Sequence, residues 1–218
     1  MSMIEMVAQH GHKLRESVFV GTSVAGGVAS LDTADAYNAV SALINLYNSE
    51  SATVGKVWLI PVFIKLVANA VNTTASNMTA TGVLDIVNRH TGTTGTTITP
   101  VVPALSTVSG YTSRTPKGVL DIGLLTLIAA NTAKIVFDEM LCSTIFAVDD
   151  AVEIWFGSGP SNSQSGTQSR HIVTVPPVYI GPGANFSLHE IGTAQAADPK
   201  FEIEICWIET GHDSFGQT

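Results

Sequence analysis

The stretch Ile172–Gly192, IVTVPPVYIGPGANFSLHEIG, decides the fold. Together with His171 it opens as a strand, with apolar residues alternating in HIVTV, and it closes as another in ANFSLHEIG. Between them stand Pro176 and Pro177, which cannot donate to a β-ladder and so stop the first strand. Gly181 and Gly183 then flank Pro182 and offer the positive φ of a sharp turn. Strand, stiffened corner, turn, strand is how a chain crosses from one sheet to the facing sheet, or leaves an edge that must not pair freely.

Working outward, β signals dominate. In FEIEICWIE (Phe201 to Glu209), Phe201, Ile203, Ile205 and Trp207 share one face, while Glu202 and Glu204 share the other. KVWLIPVFIKLVANAV (Lys56 to Val71) is a long strand in which Pro61 marks either a sheet edge or a bulge. AVSALINLYN (Ala39 to Asn48) fits a strand with Val40, Ala42, Ile44 and Leu46 on one face, or a helix capped by Thr33 or Asp35; its β neighbourhood favours the strand. Further strand-like runs are ESVFVGTSVAGGVASL, TATGVLDIV, GVLDIGLLTLI, AKIVFDEMLC and AVEIWFG. The pentapeptide GVLDI appears at Gly82 and again at Gly118 with unmatched flanks, which reads as similar strand chemistry and not as a repeat architecture. About ten strands, no firm helix and long Thr/Gly/Pro-rich loops predict an all-β fold, a single jelly-roll β-sandwich. Residues 1–15 are expected to form an N-terminal tail or arm and 16–218 the one domain.

Composition limits the function. The 218 residues carry a net charge of −8, and only 13% are charged, against roughly 25% in an average soluble domain. The 24 Thr help to fill the gap, leaving a polar surface with few charges. Such a surface suits either ordinary Thr-rich strands or a protein covered by its neighbours. The ten basic residues are scattered, so the footprint that neutralises phosphates is missing, and no direct nucleic-acid contact is expected. The longest apolar run, Val57 to Ile64, is far shorter than the ~20 residues of a membrane span. MSMIEMVAQHGHKLRE lacks the layout of a signal peptide, so no membrane partner and no classical secretion are expected. Cys142 and Cys206 sit in apolar runs and read as buried free thiols.

Catalytic signatures are weak. HEIGT at His189 has Thr193 where a zinc-protease helix needs its second histidine. His10 and His12 could share a metal if extended, and Glu202 with Glu204 could hold Ca²⁺ at a subunit contact. The plainer readings are a solvated tail and a solvated strand face. Asp149, Asp150 and Glu153 form an acidic turn with the same two readings. Trp58, Trp155 and Trp207 all lie in strand-like runs and are expected in the core. A cupin-type enzyme needs clustered His and Glu ligands, whereas the six His here are dispersed. The expectation is a protein with no cofactor, no small-molecule substrate and no catalysis.

VTVPPVYIGPGANFSLHE resembles a corner found in jelly-roll virion proteins of bacteriophages. The earlier KVWLIPVFIKLVANAVNTTASNMTATGVLDIVNRHTGTTGTTITPV is similar to a second part of the same pattern: strand, Thr-rich turn, strand, then an Asn-Arg and Thr/Gly-rich excursion ending near Pro100. The resemblance implies a homotrimeric jelly-roll subunit of a capsid shell, or a cement or decoration protein added to it. Its partners would be itself and other virion proteins, and its location the virion, after synthesis in the host cytoplasm without a signal peptide. Small-virus coats of this kind often carry a basic arm that contacts the genome. This sequence departs from that pattern, which favours an outward-facing role. The contact candidates are Arg89, His90, Thr91, Thr93, Tyr111 and Arg114 on the Asn88–Gly118 excursion, and Pro176, Pro177 and Pro182 on the corner. The alternative is a receptor- or carbohydrate-binding module of a phage fibre or adhesin.

One consequence is open to a direct test. In a filter-binding or fluorescence assay at physiological salt, duplex and single-stranded nucleic acid should not bind at micromolar protein; binding that weakens steeply with added salt would overturn the reading.

Overall fold

The computed structural model of the chain describes residues 18–23, 26–29, 37–70, 78–90, 94–101, 115–128, 132–142, 147–159, 170–192 and 200–211. The expected tail over residues 1–15 lies outside them. The described residues form strands and no helix. In chain order these are β1 (Val18–Thr22), β2 (Val28–Ala29), β3 (Ser41–Asn48), β4 (Val57–Ala70), β5 (Met78–Asp85) and β6 (Thr96–Ile98). They continue with β7 (Gly118–Thr126), β8 (Lys134–Cys142), β9 (Ala151–Phe156), β10 (Arg170–Val175), β11 (Asn185–Ile191) and β12 (Lys200–Gly211). Two six-stranded sheets result. Sheet A runs β1-β12-β4-β9-β10, with β2 paired to β12 beside that path, and sheet B runs β6-β7-β3-β11-β5-β8. β9 and β10 pair in parallel.

The Pro/Gly corner does cross between the sheets. β10 is the edge of sheet A, and β11 lies in the middle of sheet B. Between them Ile180 and Leu59 exchange backbone bonds of 2.9 and 3.0 Å, which pins the corner to β4. Asn48 completes the knot: its side-chain amide donates to the Val57 and Ile180 carbonyls at 2.8 and 3.1 Å. Gly183 has φ 75° and supplies the left-handed step. Gly181 does not, contrary to expectation. Its lack of a side chain serves a close approach instead, because a Cβ there would sit 3.3 Å from the Trp58 ring.

Pro61 lies inside the sheet, with β12 and β9 on either side of its strand. Trp207 pairs with Pro61 and Cys206 with Phe63, so Val62 is the extra residue of a bulge. Pairing with β9 begins only at Phe63, so the missing donor of Pro61 interrupts no ladder bond to β9. Of the four residues assigned to one face of β3, Ile44 and Leu46 join the main core. Ala42 packs in a separate cluster with Leu125 and Leu127, and Val40 precedes the strand and is exposed. A register shift between Ala42 and Ile44 explains the split.

The main core fills the space between the sheets. Phe156 of sheet A meets Phe186 of sheet B edge-on at 5.6 Å, and Phe137 of β8 packs beside both. Phe201, Ile203, Ile205 and Trp207 all face this core, as the alternation predicts. Trp207 stacks on Phe19 at 5.9 Å. Glu209 lies two residues along the same face and is fully buried. Its carboxylate reaches across to accept the backbone N–H groups of Lys117 and Gly118, both at 2.7 Å. It therefore ties sheet A to sheet B with charge-assisted bonds. Val101 pairs with Val20, so the segment leaving β6 joins the free edges of β1 and β6 and closes that side of the sandwich.

Truncating the ring at the centre of this arrangement should be costly. Trp207→Ala is expected to lose about 3–5 kcal/mol in urea unfolding, and a loss well under ~1 kcal/mol would contradict this packing.

Candidate functional site

The repeated pentapeptide leads to the most unusual part of the molecule. Both copies of GVLDI lie in sheet B, on β5 and β7, either side of the β3–β11 pair. Each glycine lies under an inward-facing ring. A Cβ on Gly82 would come within 2.2 Å of Phe137, and one on Gly118 within 2.7 Å of Trp207 Nε1. Leu84 and Leu120 face the core. Asp85 and Asp121 project from the opposite, outer face, yet both are buried.

Those aspartates end a polar row across the sheet. Asp121 is in register with Asn45, and Asp85 with Asn185. Asn185 Nδ2 donates to Asn45 Oδ1 at 2.7 Å, which joins the two halves. The chain leaving β5 folds back over the row as a strap, residues 86–90. Its Arg89 goes to one end and its His90 to the other. Arg89 Nε lies 3.8 Å from Asp85 Oδ2 and donates to the Ile128 carbonyl at 2.8 Å, while Nη2 donates to the Ala39 carbonyl. His90 Nδ1 lies 3.0 Å from Asp121 Oδ2, and Nε2 lies 2.9 Å from the Thr94 carbonyl. Both His90 partners are acceptors. Thr97 donates to Asp121, and Thr132 to Asp85, at 2.6 Å each.

β11 adds a second buried imidazole. Ser187 and His189 point the same way from the strand, and Ser187 Oγ lies 2.9 Å from His189 Nε2. His189 Nδ1 faces the Asn38 carbonyl at 3.1 Å, and Tyr37 meets the ring edge-on at 5.0 Å. A neutral ring fits: Nδ1–H donates to Asn38, and Nε2 accepts from Ser187. Burial holds the His189 pKa down at about 4, with the Arg89 charge adding to the depression and bonds to Ser41 and Asn38 opposing it. The pair resembles a nucleophile and its base in spacing only. Both residues are sealed from solvent at 0% and 1% exposure.

The contact candidates are distributed as follows. Arg89 and His90 are buried, so their side chains act within the subunit. Thr91, Thr93, Tyr111 and Arg114 lie outside the described residues, as do His10 and His12. Pro176 and Pro177 are exposed and Pro182 half-buried, next to exposed Tyr179. Glu202 is exposed and Glu204 half-buried. They border a shallow depression with Thr22, Ser23, Lys65 and Val67, and Asn69 donates to Glu202 at 3.2 Å. Among the described residues, no three metal-ligating side chains converge. Cys206 is a buried free thiol whose pKa is pushed up to about 12 by burial and then by Glu204.

Two tryptophans depart from expectation. Trp207 is in the core, whereas Trp58 and Trp155 are only half-buried. Trp155 packs against Phe63 at 5.1 Å and donates to Glu153 at 3.0 Å. Alternation on β9 turns Trp155 to the outer face, opposite the buried Ile154 and Phe156. Sequence reading also passed over Asn45, Asp85, Asp121 and Asn185. The usable signal was the shared position of aspartate in both GVLDI copies, next to an inward leucine. No protein-family model, curated protein or solved structure matches the chain.

The strap's arginine should matter more for folding than for any surface property. Arg89→Met keeps the stem but leaves Asp85 buried beside no cation, and it is expected to cost about 3–5 kcal/mol in chemical denaturation.

Proposed function

We propose that the chain is a virion structural protein: a jelly-roll subunit of a phage or virus capsid, in a coat, cement or decoration role. It acts by associating with itself as a trimer and with other virion proteins, without turnover chemistry. The observation that carries this reading is the strand order. Eight strands fall as β1-β12-β4-β9 in one sheet and β3-β11-β5-β8 in the other. Among these eight, the chain changes sheets from β1 to β3, β3 to β4, β4 to β5, β8 to β9, β9 to β11 and β11 to β12. That interleaving supports reading the sandwich as the double Greek key of a jelly roll, an architecture used by viral capsid proteins, lectins and cupins. The filled interior argues against a cupin-like site, because the Phe137, Phe156 and Phe186 rings occupy the space between the sheets. The sparse charge supports wide subunit contacts, since few ions would be stranded in them.

A carbohydrate-binding module is the second reading, and one observation favours it. The half-buried Trp155–Phe63 pair lies on the outer face of sheet A, with Glu153 and Lys65 in register beside it. An aromatic surface next to charged groups suits a sugar ring with its hydroxyls.

Sedimentation and electron microscopy separate the two. The structural reading expects a trimer in solution whose contacts bury well over ~1,000 Å², and incorporation into larger particles. Tyr179→Glu, at an exposed corner position, is expected to lower the assembled fraction without changing the β spectrum. A protein that stays monomeric at high concentration and binds a glycan array through Trp155 would establish the module instead.

A further inference from the structure

The segment 37–40 covers the outer end of β11 and is held at few points. Asn38 offers its carbonyl to His189 Nδ1. Ala39 offers its own to Arg89, and Val40 accepts the Leu127 N–H at 2.8 Å. Tyr37 rests against the His189 ring. Three of these four contacts, all but the Val40–Leu127 backbone bond, are made to a polar layer that holds both a cation and a buried neutral imidazole.

We propose that residues 37–40 form an acid-opened latch, released from β11 when His189 takes up a proton while the strap 86–90 stays closed. Protonating His189 puts a second N–H against Ser187 Oγ, which must give up its own donor bond. It also adds a positive charge near Arg89 in a site closed to water. The backbone bonds to Ser41 and Asn38 favour the charged ring, but burial outweighs them, and the other groups around the ring offer little relief. Thr81 of β5, in register with His189, donates its hydroxyl to Asp138 of β8 at 2.8 Å. Asp85 lies beside Arg89. Tyr37 contributes a neutral ring, and Ser187 a hydroxyl. The charged ring therefore reaches water most easily by displacing the 37–40 cover. Among the described residues the strap makes no hydrogen bond with the His189 ring: Arg89 is held by Asp85 and the Ile128 carbonyl, and His90 by Asp121 and the Thr94 carbonyl.

The sign follows from linkage. His189 binds its proton less readily in the closed state, at about 4, than an ordinary imidazole does at 6.5. The closed state is then fully favoured above pH ~6.5 and loses ground as pH falls through that value toward ~4. Between pH ~7.5 and ~5 the opening equilibrium should rise about thirtyfold.

Hydrogen–deuterium exchange, corrected for the intrinsic rate at each pH, tests this on the intact chain. The expected result is a loss of protection confined to peptides covering 37–42 and Leu127, with 86–90 and β12 unchanged. His189→Gln should abolish the pH dependence. If that variant does not fold, an NMR titration of His189 in the wild-type protein takes its place, and its midpoint must match the exchange profile. No change at 37–42 down to pH ~5, or an equal loss in β12 or the strap, would overturn the latch.

Discussion

β11 is buried on both faces, and only one of those faces is apolar. Phe186 and Leu188 point into the aromatic core, while Asn185, Ser187 and His189 point outward and are sealed as completely. An unpaired buried polar group costs about 1–3 kcal/mol, so whatever covers this face must supply partners in the right directions. That requirement explains the strap and the 37–40 segment. His90, Asn88 and Asn38 meet the outer face with hydrogen bonds, and Arg89 sets its charge beside Asp85, where apolar side chains would leave these groups unpaired.

The two sides of sheet B therefore do different work. The apolar side contributes most of the burial, which is large but indifferent to small displacements. The polar side is directional. A slip of one residue in β11 would drive Ser187 and His189 into the aromatic core and put Phe186 and Leu188 under the strap. The buried row Asp121–Asn45–Asn185–Asp85 thus specifies a single register for the central strand, with the strap reading both ends of that row. Glu209 and Asn48 act similarly at the margins, each joining segments far apart in the chain.

If the chain assembles as proposed, what lies above the polar layer matters as well. Val40, Ile86, Val87 and Ile128 are exposed, and they belong to the latch, the strap and the end of the segment that anchors both. Val54 and Tyr179 are exposed near the Pro/Gly corner. The rigidity of the corner follows from Asn48 and the Leu59–Ile180 pair, whereas the cover rests on His189 and Arg89. A contact made through the corner would be indifferent to mild acid, and one made through the latch would not.

The sequence by itself determined the strands and the break between β10 and β11. Alternation in FEIEICWIE and the donor-less Pro176–Pro177 pair are local effects of backbone geometry, and they read the same in any context. It also identified the inward face of β12 and, on β3, Ile44 and Leu46, because apolar periodicity reports a buried face directly. It did not reveal the polar layer, and it assigned Arg89 and His90 to a surface excursion. Polar residues on a strand's second face normally mean solvent, and nothing local marks that this face is covered. The cover arises from long-range folding, which brings residues 86–90 back across β3 and β11 after β5. Pro61 shows the same limit: its missing donor announced an irregularity, but whether that meant an edge or a bulge depended on where β9 stops pairing, which no local pattern encodes.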